Sequence, residues 1–122
     1  MSFLLDSHAL VAWIRNERFD RGARRRVERA GAAVSAVSVW ELGMKQATGN
    51  LRMPVTVVEA VVMHEFERLV ITFEHAERAG RLPRHHRDPF DRMLIAQAQV
   101  EGLTIVTRDA AFDAYDVDVL RC

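Results

Sequence analysis

Three times in this chain a short apolar run passes almost at once into a segment with helical spacing. Phe3-Leu4-Leu5 ends in Asp6-Ser7 and is followed by Ala9, Leu10, Trp13 and Ile14 at helical intervals. Ala33-Val34-Ser35-Ala36-Val37 leads into Ser38-Val39-Trp40-Glu41, and Leu103-Thr104-Ile105-Val106 into Thr107-Arg108-Asp109. Uninterrupted apolar runs of this length suit strands covered on both faces, the condition of parallel sheets. Strands that alternate with helices pair in parallel through right-handed crossovers, so the expected fold class is α/β, a three-layer α/β/α sandwich around a mainly parallel sheet.

The rest of the chain fits this alternation. Phe19 to Ala30 reads as an arginine-rich helix closed by Gly31. The form Ser38-x-x-Glu41 matches a capping box and predicts a helix from Val39 toward Thr48, stopping near Gly49-Asn50. Pro54 is placed to open a helix reaching Arg68, Val70-Ile71-Thr72-Phe73 reads as a strand, and Gly80 to Asp88 as a loop. Asp88-Pro89 is a cap and first-turn pair for a helix from Pro89 to Glu101, ended by Gly102. A short helix comes after Asp109, and Val117 to Leu120 is expected as an edge strand.

At 122 residues the chain suits a single domain, residues 1–122, whose core needs no covalent staple. Its one cysteine, Cys122, has no internal partner, which favours a reducing, cytoplasmic setting. No basic segment precedes the first apolar residues, and no apolar run reaches membrane-spanning length, so neither export nor a membrane is expected. Lys+Arg and Asp+Glu both total 17, so any contact with nucleic acid has to come from a local patch.

Ligands of open parallel sheets bind beyond the carboxyl ends of the strands. Asp6, Glu41 and Asp109 all fall at such strand-to-helix junctions. Asp91 comes after no strand, but Leu94, Ile95 and Ala98 lie three, four and seven residues on, which places it along an apolar face. Any one of these acids is explained by helix capping or solvation, and Glu41 by its box with Ser38. Their joint occurrence at the ends of different strands is not. Converging carboxylates repel unless a cation holds them, and an oxygen-only set without Cys or clustered His suits Mg²⁺ or Mn²⁺ better than zinc.

The segments Leu4-Leu5-Asp6-Ser7-His8-Ala9-Leu10, Ser38-Val39-Trp40-Glu41-Leu42, Asp88-Pro89-Phe90-Asp91-Arg92-Met93-Leu94-Ile95-Ala96-Gln97-Ala98 and Ile105-Val106-Thr107-Arg108-Asp109 together resemble the PIN-domain family, especially VapC-like toxins of bacterial toxin–antitoxin pairs. The resemblance spans nearly the whole chain. It implies that Asp6, Glu41, Asp91 and Asp109 are the family's four acids and hold or orient Mg²⁺ or Mn²⁺, with Thr107 supporting the metal site and Asp88 serving as the cap. It further implies hydrolysis of RNA to a 5′-phosphate and a 3′-hydroxyl, a homodimer, and an antitoxin protein partner.

Arg84, Arg87, Arg92 and Arg108 lie near these acids in sequence and are the expected grips for substrate phosphates. Arg21, Arg24, Arg25, Arg26 and Arg29 read first as a solvated helix face. His85 and His86 are an alternative acid/base or metal pair, disfavoured because adjacent residues of an extended loop point oppositely. Trp13 and Trp40 are expected in the core or an interface. The rival reading is a PIN-like module that binds RNA or protein without cleaving; a nucleotide-binding or response-regulator-like domain is disfavoured by the lack of a Gly-rich phosphate loop.

Overall fold

The computed structural model describes residues 2–122. Its elements are β1 (Phe3–Leu5), α1 (Ser7–Ile14), α2 (Arg21–Ala30), β2 (Ala32–Ser35), α3 (Ala36–Ala47), α4 (Val57–Met63), β3 (Glu67–Leu69), α5 (Phe73–Arg81), α6 (Pro89–Glu101), β4 (Thr104–Thr107), a 3₁₀ turn (Ala110–Ala114) and β5 (Val119–Arg121). The five strands form one parallel sheet in the order β3-β2-β1-β4-β5. From β1 the chain winds outward through β2 to β3, then returns to the other side of β1 for β4 and β5. The reversal opens a crevice between the carboxyl ends of β1 and β4, the position where open α/β sheets bind ligands.

Side-chain alternation divides the core between the two faces of the sheet. Phe3 and Leu5 of β1, with Val34 and Val106, meet α1, α2 and α4 through Leu10, Trp13, Val27, Val57 and Val61. Leu4, with Ala33 and Ile105, meets α6 and the 3₁₀ turn through Leu94, Ile95, Ala98 and Phe112. All three residues of β1 are buried, as a central strand covered on both sides requires. The expected three-layer α/β sandwich is the observed one. Trp13 lies in the core, edge-on to Phe19 and Phe66, whereas Trp40 stays 62% exposed and only its edge meets Phe90.

Local caps move several expected boundaries. Ser35, not Ser38, caps α3: its Oγ accepts from the Val37 N–H at 3.1 Å, so β2 ends at Ser35 and α3 starts three residues before Val39. The helix expected from Pro54 to Arg68 is limited to Val57–Met63 by a Thr56/Glu59 capping box at one end. At the other, Glu65 adopts a left-handed φ of 59°. The strand expected at Val70–Phe73 lies earlier, at Glu67–Leu69, because Thr72 caps a helix, α5, that the apolar pattern did not reveal. In that cap His75 occupies the place normally taken by Glu or Gln, accepting from the Thr72 N–H through Nδ1 at 3.1 Å.

Helix α6 runs from Pro89 to Glu101 as expected, capped by Asp88 and closed by Gly102 at φ 67°. A Cβ at Gly102 would meet no atom within 4 Å, so the backbone conformation alone demands glycine there. Gly102→Ala is therefore expected to lower stability by about 1 kcal/mol, the penalty of a left-handed alanine. Urea unfolding measures it, with Gly102→Asn, which tolerates this region better, closer to the parent.

Candidate active site

Asp6 stands at the crevice. It caps α1, its Oδ1 accepting from the Ala9 N–H at 2.8 Å, while its Oδ2 accepts from the Thr107 hydroxyl at 2.5 Å. Only 2% of Asp6 is exposed, and this burial raises its pKa against the lowering effect of those two donors; Asp109 raises it further. Thr107, fully buried at the end of β4, also accepts from the Asp109 N–H at 2.9 Å. One hydroxyl thus joins the ends of β1 and β4 and sets the start of the segment carrying Asp109. The Asp109 carboxylate caps the 3₁₀ turn through the Ala111 N–H at 2.9 Å, and the residue is exposed.

Asp91 sits in the first turn of α6, beside its cap Asp88, whose Oδ1 accepts from the N–H groups of Phe90 and Asp91 at 2.9 and 3.3 Å. Burial pushes the Asp91 carboxyl up to about 6. A hydrogen bond with His86, Nε2 to Oδ2 at 2.7 Å, opposes that rise, while the charges of Asp88 and Asp6 add to it. Asp91 and Asp6 therefore sense each other across the crevice. Glu41, largely buried on α3, accepts at Oε1 from the hydroxyl of Ser7, the neighbour of Asp6, at 2.5 Å, and its Oε2 lies 3.8 Å from Lys45 Nζ. Because Ser35 takes the cap, the box expected between Ser38 and Glu41 does not form, and Glu41 is left to face Ser7.

The sequence model of the PIN domain matches residues 3–118. The chain belongs to the PIN-domain family. No curated protein matches it significantly. Among solved structures, the PIN domain is similar to a chain of the DNA-bound VapBC from Salmonella typhimurium (17% identity, TM-score 0.71, covering 99% of this chain and 98% of that one). It is similar as well to a chain of VapBC2 from Rickettsia felis bound to a promoter DNA fragment (13% identity, TM-score 0.76, 100% and 99%). A third similar chain comes from VapBC-5 of Mycobacterium tuberculosis, a member of the VapBC family of toxin–antitoxin systems (18% identity, TM-score 0.67, 99% and 98%). At these identities the likeness establishes the fold.

Among the described residues of the PIN domain, the tightest set of metal-ligating atoms is that of His86, Asp88 and Asp91, all within 4.8 Å of one another. Asp6, Glu41 and Asp109 stand outside that set. His86 is the residue that sequence reasoning discounted. Adjacent loop histidines do diverge: His85 turns its ring edge-on to Tyr115, and His86 alone reaches Asp91. Ser7 was also missed, for no pattern in the sequence links it to Glu41. The set of His86, Asp88 and Asp91, with nearby Asp6, fits a hard divalent cation, since Asp6 and Asp91, both with raised pKa values, gain by sharing positive charge and the donors are dominated by oxygen.

The expected phosphate grips separate in this PIN domain. Arg92 is engaged with the backbone: its guanidinium donates to the carbonyls of Ala79, Leu82 and Pro83 at 2.9 to 3.0 Å and of His86 at 3.4 Å. Tyr115 braces the same loop, its hydroxyl donating to the Pro83 carbonyl and accepting from the His86 N–H. Arg92 thus anchors the loop, its guanidinium engaged with the backbone. Arg84, Arg87 and Arg108 remain exposed. Along α2, Arg24 lies over the Trp13 ring at 4.2 Å and pairs with Glu28, so part of that arginine run holds the fold.

Arg92→Met is expected to lower stability by about 2 kcal/mol through the loss of charged hydrogen bonds and to speed amide exchange across residues 83–88. Unchanged exchange there would show that Tyr115 alone holds the loop. In the metal-free PIN domain, Asp91→Asn removes a desolvated, crowded charge and is expected to raise stability at pH 7 by about 1 kcal/mol. The pH dependence has a matching sign. A carboxyl whose folded pKa is raised penalises the fold once ionised, so stability should rise as pH falls from 7 through about 6 toward the unfolded value. Urea melts in EDTA measure both effects.

Proposed function

We propose that this chain is a metal-dependent endoribonuclease, the VapC-like toxin of a toxin–antitoxin pair, acting in the cytoplasm as a homodimer restrained by its antitoxin. The observation that carries the activity is the nearness of buried Asp6 and partly buried Asp91, whose charges act on each other, each held at a carboxylate oxygen by a neighbouring side chain. Membership of the PIN-domain family and the likeness to chains from VapBC complexes support the nuclease and toxin readings. Apolar side chains left at the surface, Phe73 at 97% exposure and Trp40, favour burial against another protein.

Mg²⁺ or Mn²⁺ would be held chiefly by Asp6 and Asp91, with Glu41 and Asp109 binding directly or through water, and would supply charge neutralisation at the phosphate and a more acidic bound water. The chain's own residues prepare this site. Thr107 fixes the Asp6 carboxylate by donating to Oδ2, and Ser7 fixes Glu41 by donating to Oε1. His86 fixes Asp91, its Nε2 within hydrogen-bond distance of Oδ2. Each carboxylate therefore keeps its other oxygen in a set orientation, which is what positioning a phosphodiester for in-line attack by water requires. Asp109 and Arg87 are exposed and free to meet the substrate strand.

The test is cleavage of a total-RNA pool by the purified chain in Mg²⁺ or Mn²⁺, with EDTA, Asp6→Asn and Asp91→Asn as controls. Discrete products carrying 5′-phosphates are expected, with kcat reduced on the order of 10²-fold or more in either variant. Full activity in a folded Asp91→Asn chain would refute the assignment of the site. Metal binding without any cleavage would point to a non-catalytic module.

A further inference from the structure

A second feature borders the acidic crevice and takes no part in holding the acids. Beyond the ends of β4 and β5, Arg18, Phe19, Asp20, Arg108, Arg121 and Cys122 line a cavity of about 560 Å³. Its walls are fixed by backbone bonds: the Asp20 N–H donates to the Cys122 carbonyl at 2.8 Å, and the Cys122 N–H to the Thr107 carbonyl at 3.3 Å. The cavity is thus tied to the same Thr107 that holds Asp6. Because the Thr107 hydroxyl holds Asp6, the backbone bond from Cys122 to Thr107 places the cavity next to that acid.

The charges in it are unevenly satisfied. The Asp20 side chain caps α2 by accepting from the Ala23 N–H at 2.9 Å, and Arg121 pairs with Asp113. Arg18 and Arg108 pair with no carboxylate of the described residues. In a chain with 17 basic and 17 acidic side chains, two unpaired guanidiniums beside a third, in a cavity bordering a carboxylate cluster, are a local anion-attracting field. Phe19 adds an apolar wall, kept in place by its edge contact with Trp13 at 5.3 Å.

We propose that this cavity takes a backbone phosphate of the RNA strand flanking the bond to be cut, gripped by Arg18 and Arg108, so that the strand runs from the acidic crevice over the ends of β4 and β5. The assignment rests on the nuclease reading and adds a direction for the substrate. Guanidiniums bind phosphate oxygens in a planar, two-pronged fashion, and two of them on one phosphate fix its position relative to the acids. Between an acidic peptide and a nucleic acid the geometry favours the latter, because a strand whose scissile phosphate sits at Asp6 and Asp91 must carry its next phosphates past a neighbouring surface.

Cys122, the chain's single cysteine, is a built-in reporter for the cavity. The rate of its alkylation by N-ethylmaleimide is measured in the Asp91→Asn chain, in EDTA, with and without a short single-stranded RNA whose binding is tracked by fluorescence anisotropy. Bound RNA is expected to slow alkylation several-fold. Arg18→Gln/Arg108→Gln is expected to remove that protection and to reduce the slope of log affinity against log salt by roughly 0.7, one single-strand phosphate contact's worth. RNA that binds without protecting Cys122, or a double variant with an unchanged salt slope, overturns this cavity's role and leaves the nuclease reading standing. Failure of the Asp91→Asn chain to bind RNA in Mg²⁺ as well as in EDTA overturns both. Protection by a polyglutamate peptide but not by RNA overturns the phosphate assignment in favour of an acidic protein partner.

Discussion

The hydrogen bond from the Thr107 hydroxyl to Asp6 is the contact on which the geometry of the site depends. It closes a loop of the chain more than a hundred residues long by joining the ends of β1 and β4, the two strands between which the winding of the sheet reverses. Parallel pairing brings these strand ends to the same edge, but pairing alone leaves a carboxylate free to rotate. Accepting at Oδ1 from the start of α1 and at Oδ2 from Thr107, Asp6 has both oxygens oriented while it lies almost out of water. The same hydroxyl receives the Asp109 N–H, so a second acid is positioned by the remaining hydrogen-bonding capacity of one side chain.

Buried Asp6 and partly buried Asp91 are held against their mutual repulsion, and the fold concentrates its bracing where that repulsion acts. The loop from Leu82 to Asp88 has no regular structure, yet Arg92 and Tyr115 satisfy its carbonyls and hold the His86 N–H. His86 then meets Asp91 from the loop side, while Asp88 shields the start of α6. Elements rather than chance thus place each carboxylate: a strand end for Asp6, a helix face for Glu41, a helix start for Asp91 and a turn for Asp109. The arrangement carries a stability cost that a bound cation would offset, as expected where residues serve chemistry rather than packing.

Periodicity was legible in the sequence, whereas competition between caps was not. Strand β1, helix α6 and strand β4 carry strong local signals, and with them came the fold class and the neighbourhoods of Asp6, Asp91, Thr107 and Asp109. Glu41 was expected at the strand-to-helix junction, but α3 begins at Ala36, which sets it on the second turn of the helix instead. Two serines three residues apart, Ser35 and Ser38, offer competing helix starts, and the one that wins sets whether Glu41 is a cap or a site residue. Helix α5 went unseen because His75 is an unusual partner in its capping box and because Val70, Ile71 and Phe73 mimic a strand while lying exposed. The roles of His86, Ser7 and Arg92 rest on contacts made only once the chain has folded.

Neutral net charge and a substrate made of phosphates are reconciled by distance. Screening at physiological ionic strength limits a charge's reach to about 8 Å, so a surface total of zero says little about the field inside a crevice. Here Asp6 is buried at the crevice with Asp91 and Glu41 partly covered, whereas the arginines Arg18, Arg87 and Arg108 remain exposed. Such a division draws a polyanion to the rim while keeping the centre too negative to hold it without a cation. On the proposed reading, binding and reaction fall to different residues, and a charge on the rim would act on affinity while one in the crevice would act on turnover.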